Sequence, residues 1–292
     1  MRRMNAWPQM RTDPMDRARR HIEQNFAAEV SLAEVAEAAG LSPYHFSRQF
    51  TARFGFSPMA YVRARRLEMA AERLRTGARA RLIELALDCG FDSQEGFTRA
   101  FVRTFGVSPG RYRAGQRPPR RRPVAARAAH LPAINLIQAP TPARKPPMRL
   151  IGPARDFDDA TMCAIPDLWR GFEPHLPLAG QTGGGTFGVL SATRSGDGVH
   201  YVAAVAVSPE TPVPAAFEAI DLPARSYLVF RQVLDGGPLN PQMHAAGREI
   251  WGERIPLSGR TLVRAPDLEV YPEGFRPDLP GAWVEWWVPV EG

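Results

Sequence analysis

Phe97, Phe101 and Phe105 recur every four residues, which on a helix gathers three rings on one face and leaves Gln94, Glu95, Arg99 and Arg103 elsewhere. The stretch from Gly90 to Arg113 therefore predicts a turn, a helix that starts at Ser93, and a restart at Ser108-Pro109. The same pattern occurs once before. Gly40 lies 50 positions ahead of Gly90, and after one inserted residue Phe46, Arg48, Phe50, Phe54, Gly55, Ser57, Pro58 and Tyr61 align with Phe97, Arg99, Phe101, Phe105, Gly106, Ser108, Pro109 and Tyr112.

Around these two copies the front of the chain reads as helices. Ala18, Ile22 and Phe26 predict a first helix from Met15. Ser31-Leu32-Ala33-Glu34 is a capping box opening a second, which Gly40 stops. Ser42-Pro43 starts a third after a very short turn. Met59 to about Thr76 makes a rod of roughly 27 Å, close to the roughly 34 Å between successive major grooves on one face of DNA. Leu82, Leu85, Ala86 and Cys89 form the next scaffold helix, with Cys89 as a small buried hydrophobe.

From Leu131 the texture changes to strands and turns. Ile134 to Gln138 and Met148 to Phe157 flank a proline-rich loop, and Pro166 opens a short helix through Trp169 and Phe172. Thr186 to Ala192 and Val199 to Ser208 form a hairpin around Ser195-Gly196-Asp197-Gly198. The unit then repeats as strand Ser226 to Gln232, helix Gln242 to Arg254, strand Leu268 to Tyr271 and strand Trp283 to Val290. Leu176-Pro177-Leu178-Ala179-Gly180-Gln181-Thr182 returns 79 residues later as Ile255-Pro256-Leu257-Ser258-Gly259-Arg260-Thr261. The fold class expected is two-domain: an all-α double helix-turn-helix domain followed by an α+β domain of duplicated β-α-β-β units. Its divisions are a flexible arm over 1–14, helices over 15–114, an Arg/Pro-rich linker over 115–130 and the α+β domain over 131–292.

Charge sharpens that division. Residues 1–148 carry 26 Lys+Arg against 12 Asp+Glu, and 149–292 carry 11 against 18, so the net +7 splits into a basic front and an acidic back. A basic front half is the footprint of a nucleic-acid binder, and the acidic back argues against the whole chain lying along DNA. Lys145 is the only lysine, so an arginine-rich composition inflates the count without changing either sign. No apolar run approaches the roughly 20 residues that span a bilayer, and the first residues lack a signal peptide's apolar region, which together predict a cytoplasmic chain without membrane contact. Two cysteines are too few for a disulfide framework or a cysteine-built zinc site.

The doubled helix-turn-helix, with Leu85-Ala86-Leu87-Asp88-Cys89-Gly90-Phe91 leading into the second copy, resembles the AraC/XylS transcription regulators. The resemblance implies seven helices, asymmetric double-stranded promoter DNA bound by one chain, and promoter control, as an activator, through contact with RNA polymerase. It also implies base-contacting positions at Tyr44, Ser47 and Arg48 in the first reader and at Gln94, Glu95, Gly96 and Arg99 in the second. Glu95 and Gly96 depart from the polar Gln and Thr of the best-known members. Arg48 and Arg99 can give two parallel bonds to guanine or contact phosphate instead. Glu95 either accepts from cytosine or complements the helix start. Arg63, Arg65 and Arg113 are phosphate neighbours or solvated surface.

The back half, with Ile165-Pro166-Asp167-Leu168-Trp169 and Glu285-Trp286-Trp287-Val288-Pro289-Val290, resembles the GyrI-like effector-binding domain appended to Rob-type regulators. That implies a small-molecule effector, apolar or cationic, in a pocket between the two repeats that holds a glutamate and aromatics. Glu285 is the best match to the glutamate, with Trp287, Trp169, Tyr227 and Tyr271 as the aromatics. Alternation puts Glu285 and Trp287 on one strand face and Trp286 on the other; the plainer alternative is a half-exposed terminal strand whose tryptophans are core. Enzyme motifs are absent: there is no Gly-x-Ser-x-Gly, no phosphate loop, and no metal-ligand spacing among the six histidines. Gly183-Gly184-Gly185 reads as a flexible loop. The expectation is therefore a regulator with no catalytic residues, metal or cofactor. A protein-docking module and a GyrI-like ligand hydrolase are the alternatives for the back half.

Overall fold

The computed structural model describes residues 13–76, 81–116, 137–158, 161–193 and 198–292. Most of the arm over 1–14, most of the linker over 115–130, the start of the strand expected at Ile134 and most of the turn at 195–198 lie outside them. Two compact units result, one helical and one built on a sheet, the second also taking in Ser47–Ser57.

Seven helices follow one another in the first half: α1 (Pro14–Asn25), α2 (Leu32–Ala39), α3 (Pro43–Phe54), α4 (Pro58–Arg75), α5 (Leu82–Asp88), α6 (Gln94–Phe105) and α7 (Pro109–Arg113). Local chemistry sets their ends. The Ser31–Glu34 box opens α2 with both reciprocal bonds in place, and Gly40 closes it at φ 74°. Ser93 caps α6 by accepting from the Gly96 backbone, and Gly106 ends it at φ 77°. On α6 Phe97 and Phe101 are buried and Phe105 partly so, with Phe101 ringed by Phe97, Phe105 and Tyr112 at 5.6, 4.4 and 5.4 Å. Phe97 and Phe101 pack with Leu67, Ala70 and Leu74 of α4 and with Leu85, Ala86 and Cys89. Each fully buried ring contributes roughly 2–3 kcal/mol. Burial pushes the Cys89 thiol up to about 11, as a small core hydrophobe requires.

The second half is one antiparallel sheet with helices on one face. Its strands are β1 (Thr141–Lys145), β2 (Met148–Gly152), β3 (Ala154–Phe157), β4 (Gln181–Ala192), β5 (Val199–Val207), β6 (Glu218–Leu222), β7 (Arg225–Val233), β8 (Asp267–Tyr271) and β9 (Trp283–Pro289), with helices α8 (Ile165–Phe172) and α9 (Leu239–Glu249) between them. The helix expected over Gln242 to Arg254 is thus α9 followed by a π turn, Ile250–Arg254. The path runs β1-β7-β9-β8-β4-β5-β2-β6, with β3 also on β5. The two repeats meet at the central β4–β8 pair, and each sets its first strand against its last: β2 and β3 on β5, β7 on β9. Strand β6 ends at Leu222 and β7 begins at Arg225, so two opposite reaches of the sheet are within about 11 Å. The sheet is therefore strongly curled.

Four segments differ from expectation. The strand expected over Met148 to Phe157 divides at Pro153 into β2 and β3. The proline-rich loop contains β1, and its Pro142 is tolerated because β1 pairs on one side only. The glycines 183–185 lie within the irregular start of β4 rather than in a loop. β6 was not expected; its Glu218-Ala219-Ile220-Asp221-Leu222 has little apolar alternation because it is an edge strand.

Candidate functional site

Strand register divides the predicted effector residues into two groups. Directly paired residues share a sheet face, and Trp287 pairs with Leu268 and Glu285 with Val270, whereas Trp286 pairs with Glu269. Glu285, Trp287 and Tyr227 thus occupy one face and Tyr271 the other, with Trp169 above Tyr271 on the helix-bearing side.

On the face without helices, Glu285 accepts from Arg231 Nη2 at 2.7 Å and from Trp287 Nε1 at 2.9 Å. Burial alone would raise its carboxyl, but the bonds from Arg231 and Trp287 outweigh that and hold it below the usual range. The Arg231 guanidinium also lies over the Trp283 ring at 4.3 Å, and Lys145 Nζ over the Trp287 ring at 3.9 Å. Tyr227 stands 5.7 Å from Trp287 within a core that includes Val189, Val202, Val229 and Leu268. Glu285, expected to meet an effector, already has two donors from its own strands. A surface recess nearby, about 170 Å³, is lined by Pro142, Arg144, Tyr227 and Arg260 and excludes Glu285.

On the helix-bearing face a different glutamate is buried. Glu269 Oε2 accepts from Tyr201 Oη at 2.9 Å and Tyr271 Oη at 2.8 Å, and Trp169 Nε1 donates to Tyr201 Oη at 3.1 Å. Trp169 meets Tyr271 edge to face at 5.7 Å. Burial pushes the Glu269 carboxyl above its ordinary value, more than the two phenol bonds pull it down. Burial, and then the charge of Glu269, hold both phenols high. Gly188 makes room, because a Cβ there would stand 2.2 Å from Tyr201 Oη and 2.8 Å from Glu269 Oε2. The group lies where the helices converge: Trp169 of α8 and Met243 of α9 both pack on the Leu234–Tyr271–Val284 cluster.

Sequence reasoning singled out Trp169 and Tyr271 of this buried group and passed over Glu269 and Tyr201. The signal was present. Two-residue alternation puts Glu269 on one face with Tyr271, and a carboxylate between Leu268 and Val270 in a short strand asks for a buried partner.

In the helical unit, the second reader presents its predicted residues to solvent. Gln94, Glu95 and Arg99 are exposed, and Arg99 pairs loosely with Glu95 at 3.6 Å one turn away. In the first reader Ser47 and Arg48 are half-buried and Tyr44 is buried, its ring 5.5 Å from that of His45. Arg63 is exposed and Arg113 half-buried. Arg65 is engaged within the protein: it grips Glu23 through Nε and Nη2, reaches Glu68, and shares Glu23 with Tyr61 Oη. That network ties α1 to α4 and corrects the expectation of Arg65 as a phosphate neighbour. Among the described residues no helix is long and apolar enough to cross a membrane.

Comparison with known families agrees with both halves. A model described as a GyrI-like small molecule binding domain matches residues 140–291, more than half of the chain. The chain belongs to the GyrI-like family. Ahead of the GyrI-like domain, residues 35–115 match a helix-turn-helix domain, of the AraC type that binds DNA. The Right origin-binding protein of Escherichia coli K12 is 41% identical over 107 residues, 34% of this chain and 37% of that protein. The chain thus spans little more than a third of the length of that relative. The Transposon Tn10 TetD protein of Escherichia coli is 41% identical over 92 residues, 32% of this chain and 66% of its own length. Among solved structures, SAV2435 bound to tetraphenylphosphonium is 19% identical with a TM-score of 0.45, over 53% of this chain and 95% of that one.

Proposed function

We propose that this GyrI-like chain is a transcription regulator. Its helix-turn-helix domain reads promoter DNA, and its sheet domain binds a small-molecule effector at Glu269, Tyr201, Tyr271 and Trp169. The observation that carries the effector reading is Glu269, a buried carboxyl that accepts from two phenols of the sheet and lies beside the Trp169–Tyr271 edge-to-face pair. Burial favours the neutral form of such a group beside an apolar compound, and a cation, which the rings also attract, favours the charged form. Apolar or cationic effectors fit it best. Activation through contact with RNA polymerase belongs to the same reading and rests on the likeness to AraC-type regulators. For DNA, Gln94 and Arg99 are the strongest base-reading candidates because both are exposed on the first two turns of α6, Arg99 held only by its 3.6 Å pairing with Glu95.

The effector test is the thermal stability of the full chain against cationic, anionic and neutral aromatic compounds, since a ligand bound only to the folded state raises the transition. Cationic or neutral hits that Glu269→Gln abolishes and Glu285→Gln leaves intact are expected. Hits lost with Glu285→Gln alone would move the site to the other face, and a transition that no compound shifts would favour a docking module. For the DNA half, Arg99→Ala is expected to weaken specific binding by about 1–3 kcal/mol and relax preference at one base pair. Equal weakening on every sequence would make Arg99 a phosphate contact.

A further inference from the structure

The two helix-turn-helix copies each carry an arginine behind the turn, and the two arginines have different partners. Burial aligns α1 with α4 at an offset of 49, since Ala18 and Ile22 fall on Leu67 and Ala71, all four buried. That alignment pairs Arg17 with Arg66. Both stand behind the glycine of their own turn: a Cβ on Gly40 would meet Arg17 Nη2 at 3.8 Å, and one on Gly90 would meet Arg66 Nη1 at 2.3 Å.

Arg17 bonds the helix end of its own copy. Nε reaches Ala38 O at 3.2 Å and Nη2 reaches Ala39 O at 2.9 Å, the last carbonyls of α2. The equivalent carbonyls in the second copy belong to Asp88 and Cys89, and Arg66 does not bond them. Its Nε donates to Phe26 O and its Nη2 to Ala28 O, each at 2.7 Å, at the end of α1 in the first copy. One guanidinium therefore joins the first copy's helix end to the second copy's turn. Gly90, at φ 69°, is needed both for its left-handed backbone and for the space the guanidinium fills.

We infer that Arg66 is a positioning residue that fixes how the first reader is set relative to the second, and so fixes the spacing of the two DNA half-sites. The inference rests on the DNA-reading proposal. Two linked readers gain affinity only when their geometry lets both engage, so a loosened brace costs the joint site and spares each half. A planar guanidinium holds two carbonyls at fixed angles, which a lysine ammonium cannot.

The experiment is selection of bound duplexes from a random library by the full chain, by Arg66→Ala, by Arg66→Lys and by Arg17→Ala, each first checked for folding by circular dichroism. Wild type is expected to enrich two sub-motifs at one spacing, about one helical turn. Arg66→Ala is expected to keep both sub-motifs, spread their spacing, and bind the wild-type full site about tenfold more weakly with unchanged half-site affinity. Arg66→Lys does the same more mildly and carries the test if the alanine variant does not fold. Arg17→Ala removes a comparable cap within one copy and should lower stability without moving the spacing. A sharp wild-type spacing in both Arg66 variants, or the same broadening in Arg17→Ala, overturns the inference. No enriched motif from wild type sinks the DNA reading itself, and the inference with it.

Discussion

Glu269 and Glu285 stand on neighbouring strands of one sheet, β8 and β9, yet their carboxyls are treated in opposite ways. Glu285 faces the side without helices, keeps its charge, and answers it with Arg231 and the Trp287 indole. Glu269 faces the helices, is buried, and answers to two phenols. The first arrangement is closed, because charge and countercharge come from the same sheet. The second meets two uncharged phenols, and burial raises its carboxyl. A carboxyl of the second kind suits binding, and one of the first kind suits holding strands together.

The comparison breaks most severely at Gly188. Gly188→Ala puts a Cβ into the Tyr201–Glu269 bond, and overpacking with loss of a buried hydrogen bond should cost about 3 kcal/mol in chemical denaturation. A cost under about 1 kcal/mol would mean that the tyrosine and glutamate move aside freely.

Next in size is the pH dependence of the two carboxyls, which has opposite signs. Glu269 keeps its proton in the folded chain at a pH where the unfolded chain has lost it. Folding therefore takes up a proton in that window, and stability falls as pH rises through it, by up to about 1.4 kcal/mol per pH unit. Glu269→Gln should remove this slope above the ordinary glutamate range. Glu285, held low, contributes stability above its unfolded value that is lost as pH falls through the folded one. Parallel denaturation series from acid to neutral pH would separate them; an unchanged slope in Glu269→Gln would show that Glu269 is ionised throughout.

Arg231→Ala tests the closed arrangement. It leaves Glu285, whose side chain is 14% exposed, with the indole donor alone, while Arg231 itself was 44% exposed and well screened. About 1 kcal/mol is expected, larger at neutral than at acid pH. Equal loss at both pH values would assign the cost to the Trp283 contact instead.

How much of this was legible in the sequence depends on whether the signal was local. The helices carried theirs in caps, glycine stops and phenylalanine spacing, so their starts were read nearly to the residue. Strand alternation placed Glu285 and Trp287 on one face correctly. It could not say which face the helices cover, because that depends on β8 lying beside β9 and β4 beside β8. Glu285 drew notice because tryptophans flank it in sequence, whereas the tyrosine that holds Glu269 from across the sheet, Tyr201, is 68 residues away. β1 and β6 were missed because edge strands need less apolar alternation.

The smallest expected effect lies at Lys145, the only lysine of the chain. Its ammonium sits 3.9 Å from the centre of the Trp287 ring and adds to the positive field on Glu285. A partly exposed cation over an indole contributes about 0.5–1 kcal/mol. Single changes confuse that with lost stem packing, so the measurement is a double-mutant cycle of Lys145→Met and Trp287→Phe by denaturant midpoint. A coupling of about 0.5 kcal/mol that survives in the Glu285→Gln background would assign it to the ring. Coupling that vanishes there would mean that Lys145 serves the carboxylate.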